Sequence, residues 1–185
     1  MPRLLLLRHA KSSWNDDALA DFDRPLATRG HSVLPLVGHH LATHGLTPQK
    51  VLCSSARRTR ETLAGLLPYF EGDLDVRLSR ELYEAGEDRL IDQIRAHGGG
   101  ARTLLVIGHN PGLQETALAL IGTGNPSPIE DLEKKFPTAA AAVIDFPAVK
   151  WVDVEPKSGR LVAFLRPREL HLVGEIEAMA VEAEA

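Results

Sequence analysis

Short apolar runs without polar–apolar alternation recur along the chain, and polar side chains follow each of them. The first run, residues 4–7, leads directly into Arg8 and His9. An uninterrupted apolar run of this length is typical of a strand that is buried on both faces of a parallel sheet. KVLCSS (50–55) and TLLVIG (103–108) repeat the pattern, and they predict two further buried strands.

Helical and weaker strand patterns occupy much of the remaining sequence. The spacing of apolar residues predicts four helices, over residues 29–44, 56–70 and 88–96 and from the end of TLLVIG to Leu120. Further strands are predicted at residues 75–79, 140–146 and 160–167. Gly45 would stop the first helix, Pro35 would weaken or kink it, and Pro68 would end the second. The polar residues 11–28 predict a loop, and the acidic, alanine-rich residues 175–185 predict a helical or frayed end.

The alternation of strands and helices predicts an α/β fold. We expect a three-layer α/β/α sandwich, in which a mostly parallel central sheet carries helices on both faces. The sequence has no internal repeat and no linker that would divide it. We therefore expect residues 1–185 to form a single domain.

Composition narrows the classes of partner and the compartment. The formal net charge is −4 and no cluster of basic residues stands out, which argues against general nucleic-acid binding and against a membrane-surface protein. The single cysteine, Cys53, allows no intramolecular disulfide and fits a reducing compartment. No apolar run approaches the length of a membrane span, so the cytoplasm is the expected location.

The residues that follow the buried strands point to phosphoryl chemistry. Ligands of an open α/β sheet bind beyond the carboxyl ends of its strands, where this chain places Arg8, His9, His109 and the arginines of segment 57–60. Guanidinium groups bind phosphate oxygens bidentately and keep their charge. One neutral histidine can attack phosphorus, and a second can hydrogen-bond the equatorial oxygens.

Three segments also carry a resemblance to a known family. LLLLRHAKSSW (4–14), SSARRTRET (54–62) and VIGHNPG (106–112), in this order, resemble the signature segments of the histidine phosphatase superfamily, the phosphoglycerate mutase-like group. Within it, they are most similar to the small SixA-like phosphohistidine phosphatases, as are DFDRPLATRG (21–30) and KFPTAA (135–140). The likeness spans residues 2–147 and implies a phosphoglycerate mutase-like fold.

The resemblance implies a role for each matching residue. His9 would be the nucleophile that becomes phosphorylated, and Arg8 and Arg58 would hold the phosphate. Arg58 is chosen because the S-x-x-x-R spacing of the family starts at Ser54, which leaves the neighbouring arginines outside the motif. His109 would be the second histidine of the pocket.

The general acid is assigned to Glu84, which matches the L-x-E pattern of the family. Glu81 and Glu87 are the alternatives, and the role itself could be absent, as in some small members.

Ser12 and Lys11 lie close enough to His9 in sequence to touch the substrate. The chain between the second and third signature segments is too short for a large capping insertion, so the pocket should be open. An open pocket suits a phosphate that is presented on a protein surface.

Several other residues have simpler interpretations. His39, His40 and His44 lack the carboxylate that a zinc site of helical spacing needs, so we interpret them as surface histidines. Cys53 is interpreted as a buried, inert thiol. Asp21 and Asp23 imitate the D-x-D of aspartyl-phosphate phosphatases, but they sit in a polar loop, so they are interpreted as structural residues. We expect no metal and no cofactor.

The functional hypothesis is a metal-independent phosphatase with a phosphohistidine enzyme intermediate. Its expected substrate is phosphohistidine in a signalling protein, such as a histidine kinase or a phosphotransfer domain. The first alternative is a phosphatase of small phosphomonoesters. The second is a phosphate-binding regulatory module without turnover, and the third is a divalent-metal hydrolase, which a chelator would inactivate.

Overall fold

A seven-stranded sheet runs through the structure, a computed structural model that describes residues 1–147 and 150–170. The strands are β1 (Arg3–Arg8), β2 (Lys50–Ser54), β3 (Asp75–Ser79), β4 (Thr103–Gly108), β5 (Ile121–Gly124), β6 (Ala141–Asp145) and β7 (Gly159–Leu165). The helices are α1 (Thr28–Thr43), α2 (Arg57–Leu66), α3 (Glu87–His97), α4 (Gly112–Leu120) and α5 (Pro126–Lys134). Short 3₁₀ turns occupy Asp21–Asp23, Leu67–Tyr69, Arg80–Leu82 and Trp151–Asp153.

The strand order places three carboxyl ends side by side. The sheet runs β3-β2-β4-β1-β6-β7-β5, and β1, β2, β3 and β4 are mutually parallel where they pair. β6 pairs antiparallel with both β1 and β7, so it runs against the other strands of the described sheet. The ends of β1, β2 and β4 therefore meet at one edge of the sheet, as expected for a mostly parallel α/β fold.

The leucines of β1 are fully buried because the strand divides two cores. Leu4 and Leu6 pack in the cluster that contains the apolar residues of α3 and α4. Leu5 and Leu7 pack in the opposite cluster, with those of α1 and α2. Each buried leucine contributes about 1.5–3 kcal/mol relative to an exposed one, so both faces anchor the strand. This arrangement confirms the predicted three layers.

Helix α1 continues through Pro35, which the sequence predicts to weaken or kink it. Proline removes one backbone hydrogen bond from a helix interior. Leu34, Val37 and Leu41 are buried against the sheet, and this tertiary packing keeps the segment helical. Gly45 lies just beyond the helix at φ +65°, a conformation that glycine adopts without strain, and it ends the helix as predicted.

Two elements are absent from the sequence prediction. Strand β5 is short and contains two glycines, which weaken the strand pattern. Helix α5 begins at Pro126 and contains a second proline at residue 128, but proline is tolerated in the first turn because that turn needs no donor. The acidic, alanine-rich residues 175–185 lie outside the described residues. Within residues 1–147 and 150–170, the helices are too short or too polar to cross a bilayer.

Candidate functional site

Four of the residues predicted from the strand ends lie together at the carboxyl edge of the sheet. Arg8 ends β1 and His9 follows it, His109 follows β4, and Arg58 lies in the first turn of α2. The ring centroids of His9 and His109 are 5.3 Å apart. The Nε of Arg58 lies 3.3 Å from Nε2 of His9. His9, Arg58 and His109 are only 6–7% exposed, so they form a buried polar cluster.

The backbone around His9 is held by long-range hydrogen bonds. Its N–H donates to the carbonyl of Gly108 at 3.2 Å. The N–H of Ala139 lies 3.0 Å from the carbonyl of Arg8 and 3.1 Å from that of His9. Ala139 has φ 60°, and such strained backbone tends to occur at functional sites. The N–H of Ala10 donates to the Thr62 hydroxyl at 3.0 Å. Segments from β4, α2 and the turn before β6 therefore fix the position of His9.

The imidazole of His9 has a defined tautomer. Its Nδ1 is 2.7 Å from the carbonyl oxygen of Ala10, and a carbonyl can only accept, so Nδ1 carries the hydrogen. Nε2 therefore holds a lone pair. Burial lowers the pKa of His9 to about 4, and the charges of Arg58, Arg8 and Arg24 act in the same direction. His9 is neutral at neutral pH, which is the state that a nucleophile requires.

His109 is oriented by a serine at the end of β2. Its Nε2 lies 2.8 Å from the hydroxyl oxygen of Ser54. The N–H of Ala56 donates to the same oxygen at 3.3 Å, and we assign the hydroxyl hydrogen of Ser54 to Nε2 of His109. Nδ1 then carries the ring hydrogen, and it is buried without a hydrogen-bond partner among the described residues. Burial, followed by the charges of Arg58 and other neighbours, lowers the pKa of His109 to about 3, so it is a neutral donor.

Arg58 is clamped by Asp21 from the loop that precedes α1. Its Nη1 donates to the carbonyl of Asp21 at 2.5 Å and its Nη2 donates to Oδ2 at 2.9 Å. Tyr83 donates to the same Oδ2 at 2.7 Å, and Arg24 donates to Oδ1 at 2.9 Å. Partial burial raises the pKa of Asp21, but the hydrogen bonds from Tyr83 and Arg58 and the arginine charges outweigh it and lower that pKa. Asp21 is therefore a charged anchor for Arg58.

Arg8 brings a second guanidinium beside the first. Its Nη1 donates to the carbonyl of Phe136 at 2.8 Å, and its buried Nε has no hydrogen-bond partner in the described part of the chain. Burial lowers the pKa of Arg8, and the nearby charge of Arg58 lowers it further. Two guanidinium groups that repel each other create a strong positive potential, which favours a multiply charged anion between them.

The predicted general acid, Glu84, directly follows a residue whose ring packs against the cluster. Tyr83 packs edge-on against His109, with ring centroids 5.4 Å apart, and Glu84 follows it in the turn before α3. Glu84 is exposed and has φ 51°, a second strained residue beside the site. Burial, together with the hydrogen bond to Asp21, raises the pKa of Tyr83 to about 12, so its hydroxyl remains a donor. The role of Glu84 stays a prediction.

The alternative acids lie on either side of Glu84 in the sequence, Glu81 in the 3₁₀ turn Arg80–Leu82 and Glu87 in α3. Glu81 accepts a hydrogen bond from Gln93 on α3, and Glu87 is the first residue of that helix.

Ser12 is buried, and its hydroxyl oxygen accepts a hydrogen bond from Arg24. The expected contact between Ser12 and the substrate also stays a prediction.

The remaining candidates lie outside the cluster. Arg57 is exposed and forms an ion pair with Glu61, and Arg60 is exposed and donates to the carbonyl of Ser55. Burial raises the pKa of the Cys53 thiol to about 12. The rings of His40 and His44 stack at 3.9 Å near the end of α1. Residues 1–147 and 150–170 contain no group of three or more histidine, cysteine, aspartate or glutamate side chains that could hold a metal ion.

Sequence reasoning missed the residues that orient the predicted ones. It gave Asp21 only a general structural interpretation and gave no role to Tyr83 or to the hydroxyl of Ser54. The S-x-x-x-R spacing that selects Arg58 already includes Ser54, so that signal was present. Asp21 binds Arg58, which is 37 residues away in the sequence, and Tyr83 binds Asp21, which is 62 residues away. No local sequence pattern marks either residue.

Comparisons with known proteins agree with this geometry. A sequence profile of the histidine phosphatase superfamily (branch 1) matches residues 4–96. An uncharacterised protein of Mycobacterium leprae is 40% identical over 168 residues, which cover 88% of this chain and all of the relative.

Solved structures of two other bacterial proteins are similar to this chain in sequence and fold. One assigned as phosphohistidine phosphatase SixA from Agrobacterium tumefaciens is 30% identical, with a TM-score of 0.76 over 90% of this chain and 99% of the other. Another, assigned as SixA from Nakamurella multipartitia, is 30% identical with a TM-score of 0.78 over 90% of this chain and 96% of the other. The chain therefore belongs to the histidine phosphatase superfamily, and its fold is that of the SixA proteins.

Proposed function

We propose that this protein is a phosphatase that removes the phosphoryl group from phosphohistidine in another protein, through a phosphohistidine intermediate on His9. The main support for this proposal is the state of His9, which is a buried, neutral imidazole. Its Nδ1–H donates to the carbonyl of Ala10, and its Nε2 faces Arg58. A fixed lone pair beside a guanidinium is what an attack on phosphorus requires.

In the first step, His9 takes the phosphoryl group. Arg8, Arg58 and the Nδ1–H of His109 hold the equatorial oxygens, whose charge they offset. The lone pair on Nε2 of His9 forms a bond to phosphorus as the P–N bond of the substrate breaks, and that electron pair returns to the leaving imidazole. When the other nitrogen of that imidazole carries a hydrogen, the leaving group departs neutral and no proton has to move. A phosphohistidine substrate therefore needs no strong general acid.

Arg58 has two successive partners in this step. In the free site its Nε–H donates to Nε2 of His9 at 3.3 Å. When Nε2 of His9 bonds to phosphorus, it no longer accepts that hydrogen bond. The same N–H of Arg58 then donates to a phosphoryl oxygen. Because Asp21 holds both terminal nitrogens, Arg58 needs only a small shift to do so.

In the second step, water resolves the intermediate. The retained Nδ1–H makes the phosphorylated ring of His9 an imidazolium, which weakens its P–N bond. Water forms the new P–O bond, the P–N electron pair returns to Nε2, and both hydrogens of the water leave in dihydrogen phosphate. His9 is then neutral again, with Nδ1–H still on Ala10.

The topology also favours a substrate on a protein surface. Between Arg58 and His109 the described chain forms the rest of α2, then β3, α3 and β4, with only short connections. No insertion in that interval covers the cluster. A phosphorylated side chain on another protein can therefore approach the carboxyl edge of the sheet.

Glu84 supports a second candidate, a phosphatase of small phosphomonoesters. An alkoxide leaving group must be protonated as the P–O bond breaks, and a carboxyl group beside Tyr83 could donate that proton. The strained backbone of Glu84 beside the cluster favours such a role.

Substrate profiling separates the two candidates. Purified protein is assayed with a histidine-phosphorylated phosphotransfer domain and with a panel of sugar and nucleotide phosphates, and His9→Ala serves as the inactive control. We expect kcat/KM for the phosphoprotein to exceed that for every metabolite by at least about a hundredfold. Glu84→Gln should leave the phosphoprotein reaction within about twofold while it slows the esters. A metabolite with the highest kcat/KM would contradict the proposal, and binding without turnover would identify a regulatory module.

A further inference from the structure

A cationic cavity lies beside the catalytic cluster, against α1. Its volume is about 820 Å³, and Lys11, Arg29 and Arg168 line it. None of the lining residues within 1–147 and 150–170 is acidic. The proposed mechanism gives no role to Arg29 or Arg168, and the three signature segments contain neither residue, so this cavity is distinct from the cluster around His9.

Two residues that line the cavity are close in the chain to the site. Lys11 is two residues after His9, and since successive Cα atoms are about 3.8 Å apart, their Cα atoms lie within about 7.6 Å of each other. Thr138 lines the cavity and directly precedes Ala139, whose N–H contacts the carbonyls of Arg8 and His9. A chain that presents its phosphate to His9 can therefore extend into this cavity.

The three cationic groups have no carboxylate partner among residues 1–147 and 150–170. No ion pair in that part of the chain involves Lys11, Arg29 or Arg168. Glu169, the acidic neighbour of Arg168 in sequence, instead pairs with Arg166. The side chains of Lys11, Arg29 and Arg168 belong to exposed residues, so their charges face an approaching ligand.

The remaining lining indicates a peptide rather than a lone ion. Val33 and Leu36 on α1 provide an apolar wall, and the hydroxyl groups of Ser32 and Thr138 provide hydrogen-bonding positions. A cavity of this size accommodates several side chains. Carboxylates complement the guanidinium groups, while aliphatic side chains pack on the wall.

We propose that this cavity binds an acidic segment of the phosphorylated protein, with its carboxylates on Arg29, Arg168 and Lys11. It thus selects phosphohistidines that have acidic neighbours. The identity of the adjacent phosphate rests on the proposed function, but the binding of an acidic segment does not.

The test uses the full-length protein and two dye-labelled peptides. One alternates glutamate with leucine, and the other has glutamine in place of each glutamate. The variant Arg29→Gln/Arg168→Gln removes two charges from the cavity. Arg102→Gln/Arg160→Gln is the matched control, because these exposed arginines lie at the amino ends of β4 and β7, on the opposite edge of the sheet. Turnover of p-nitrophenyl phosphate should stay within about twofold in both variants, which verifies folding.

Fluorescence anisotropy at low ionic strength gives the dissociation constants of the two peptides. We expect the wild-type protein to bind the acidic peptide with a Kd at least about fivefold lower than the neutral one. Arg29→Gln/Arg168→Gln should abolish that preference, and the control should retain it. Equal Kd values for the two peptides in the wild type, or a preference that survives in Arg29→Gln/Arg168→Gln, would overturn the proposal.

A second arm separates this inference from the proposed function. Both peptides are prepared with one phosphohistidine, and hydrolysis is followed. We expect a KM about fivefold lower for the acidic peptide, with the difference lost in Arg29→Gln/Arg168→Gln. If neither phosphopeptide is hydrolysed while esters are, the proposed function fails, and the anisotropy result still decides whether the cavity binds acidic segments.

Discussion

Arg58 donates from Nε to Nε2 of His9 at 3.3 Å, while both of its terminal nitrogens are bound to Asp21. One guanidinium therefore links the proposed nucleophile to a loop before α1. Tyr83 extends the linkage, because its hydroxyl donates to the carboxylate that holds Arg58. The position of Arg58 thus depends on Asp21 and Tyr83.

Replacing the anchor should weaken phosphate binding. Asp21→Asn removes the charge that pairs with Arg58, and we expect kcat/KM for p-nitrophenyl phosphate to fall about tenfold, mainly through a higher KM. Asp23→Asn is the matched control, since Asp23 lies in the same 3₁₀ turn but makes none of the described contacts to Arg58. Equal kinetics for the two variants would show that Asp21 does not position Arg58.

The Ser54 hydroxyl should fix the tautomer of His109. Ser54→Ala removes the partner of Nε2, and we expect kcat to fall about tenfold because Nδ1–H is then no longer the preferred form. Nitrogen-15 shifts of the His109 ring report the tautomer directly. Ser55→Ala, a neighbouring serine whose hydroxyl does not contact His109, should behave as wild type. An unchanged His109 spectrum in Ser54→Ala would contradict this role.

The two site histidines should remain neutral in mild acid. Burial lowers the pKa of His9 to about 4 and that of His109 to about 3, against about 6.5 for a free imidazole. Nitrogen-15 NMR of the phosphate-free protein should therefore show both rings neutral at about pH 5.5. A midpoint near about pH 6.5 for either ring would contradict this electrostatic description.

The same pKa shifts should make stability depend on pH. Between about pH 6.5 and about pH 4, an unfolded chain protonates these two imidazoles while the folded protein does not, so the free energy of unfolding falls as the pH falls. Urea unfolding measured across this window should show the loss. His9→Asn/His109→Asn should show a smaller loss, because its folded and unfolded states no longer differ at these positions. An identical pH dependence in that variant would exclude the histidines as its source.

The buried strands and the residues at their ends could be predicted from the sequence. Leu4–Leu7 are apolar on both faces because two cores flank β1, and that pattern also locates Arg8 and His9. His109 follows from the same logic on β4.

The anchors could not be predicted in this way. Asp21 contacts Arg58, and Tyr83 contacts Asp21, only because separate loops meet above the sheet. The cationic cavity likewise depends on Arg168 after β7 coming close to Arg29 on α1. Such contacts are set by tertiary packing, which leaves no periodic signal in a single sequence.

The central claim is that His9 carries the phosphoryl group during turnover, and intact-mass spectrometry after an alkaline quench tests it most directly. Wild-type protein mixed with a phosphohistidine substrate should gain one phosphoryl group that is stable in alkali, lost in acid and located on His9 by fragmentation. His9→Ala should gain none, and its turnover should fall by at least about 10³-fold. Phosphorylation of another residue, or retained turnover in His9→Ala, would contradict the account.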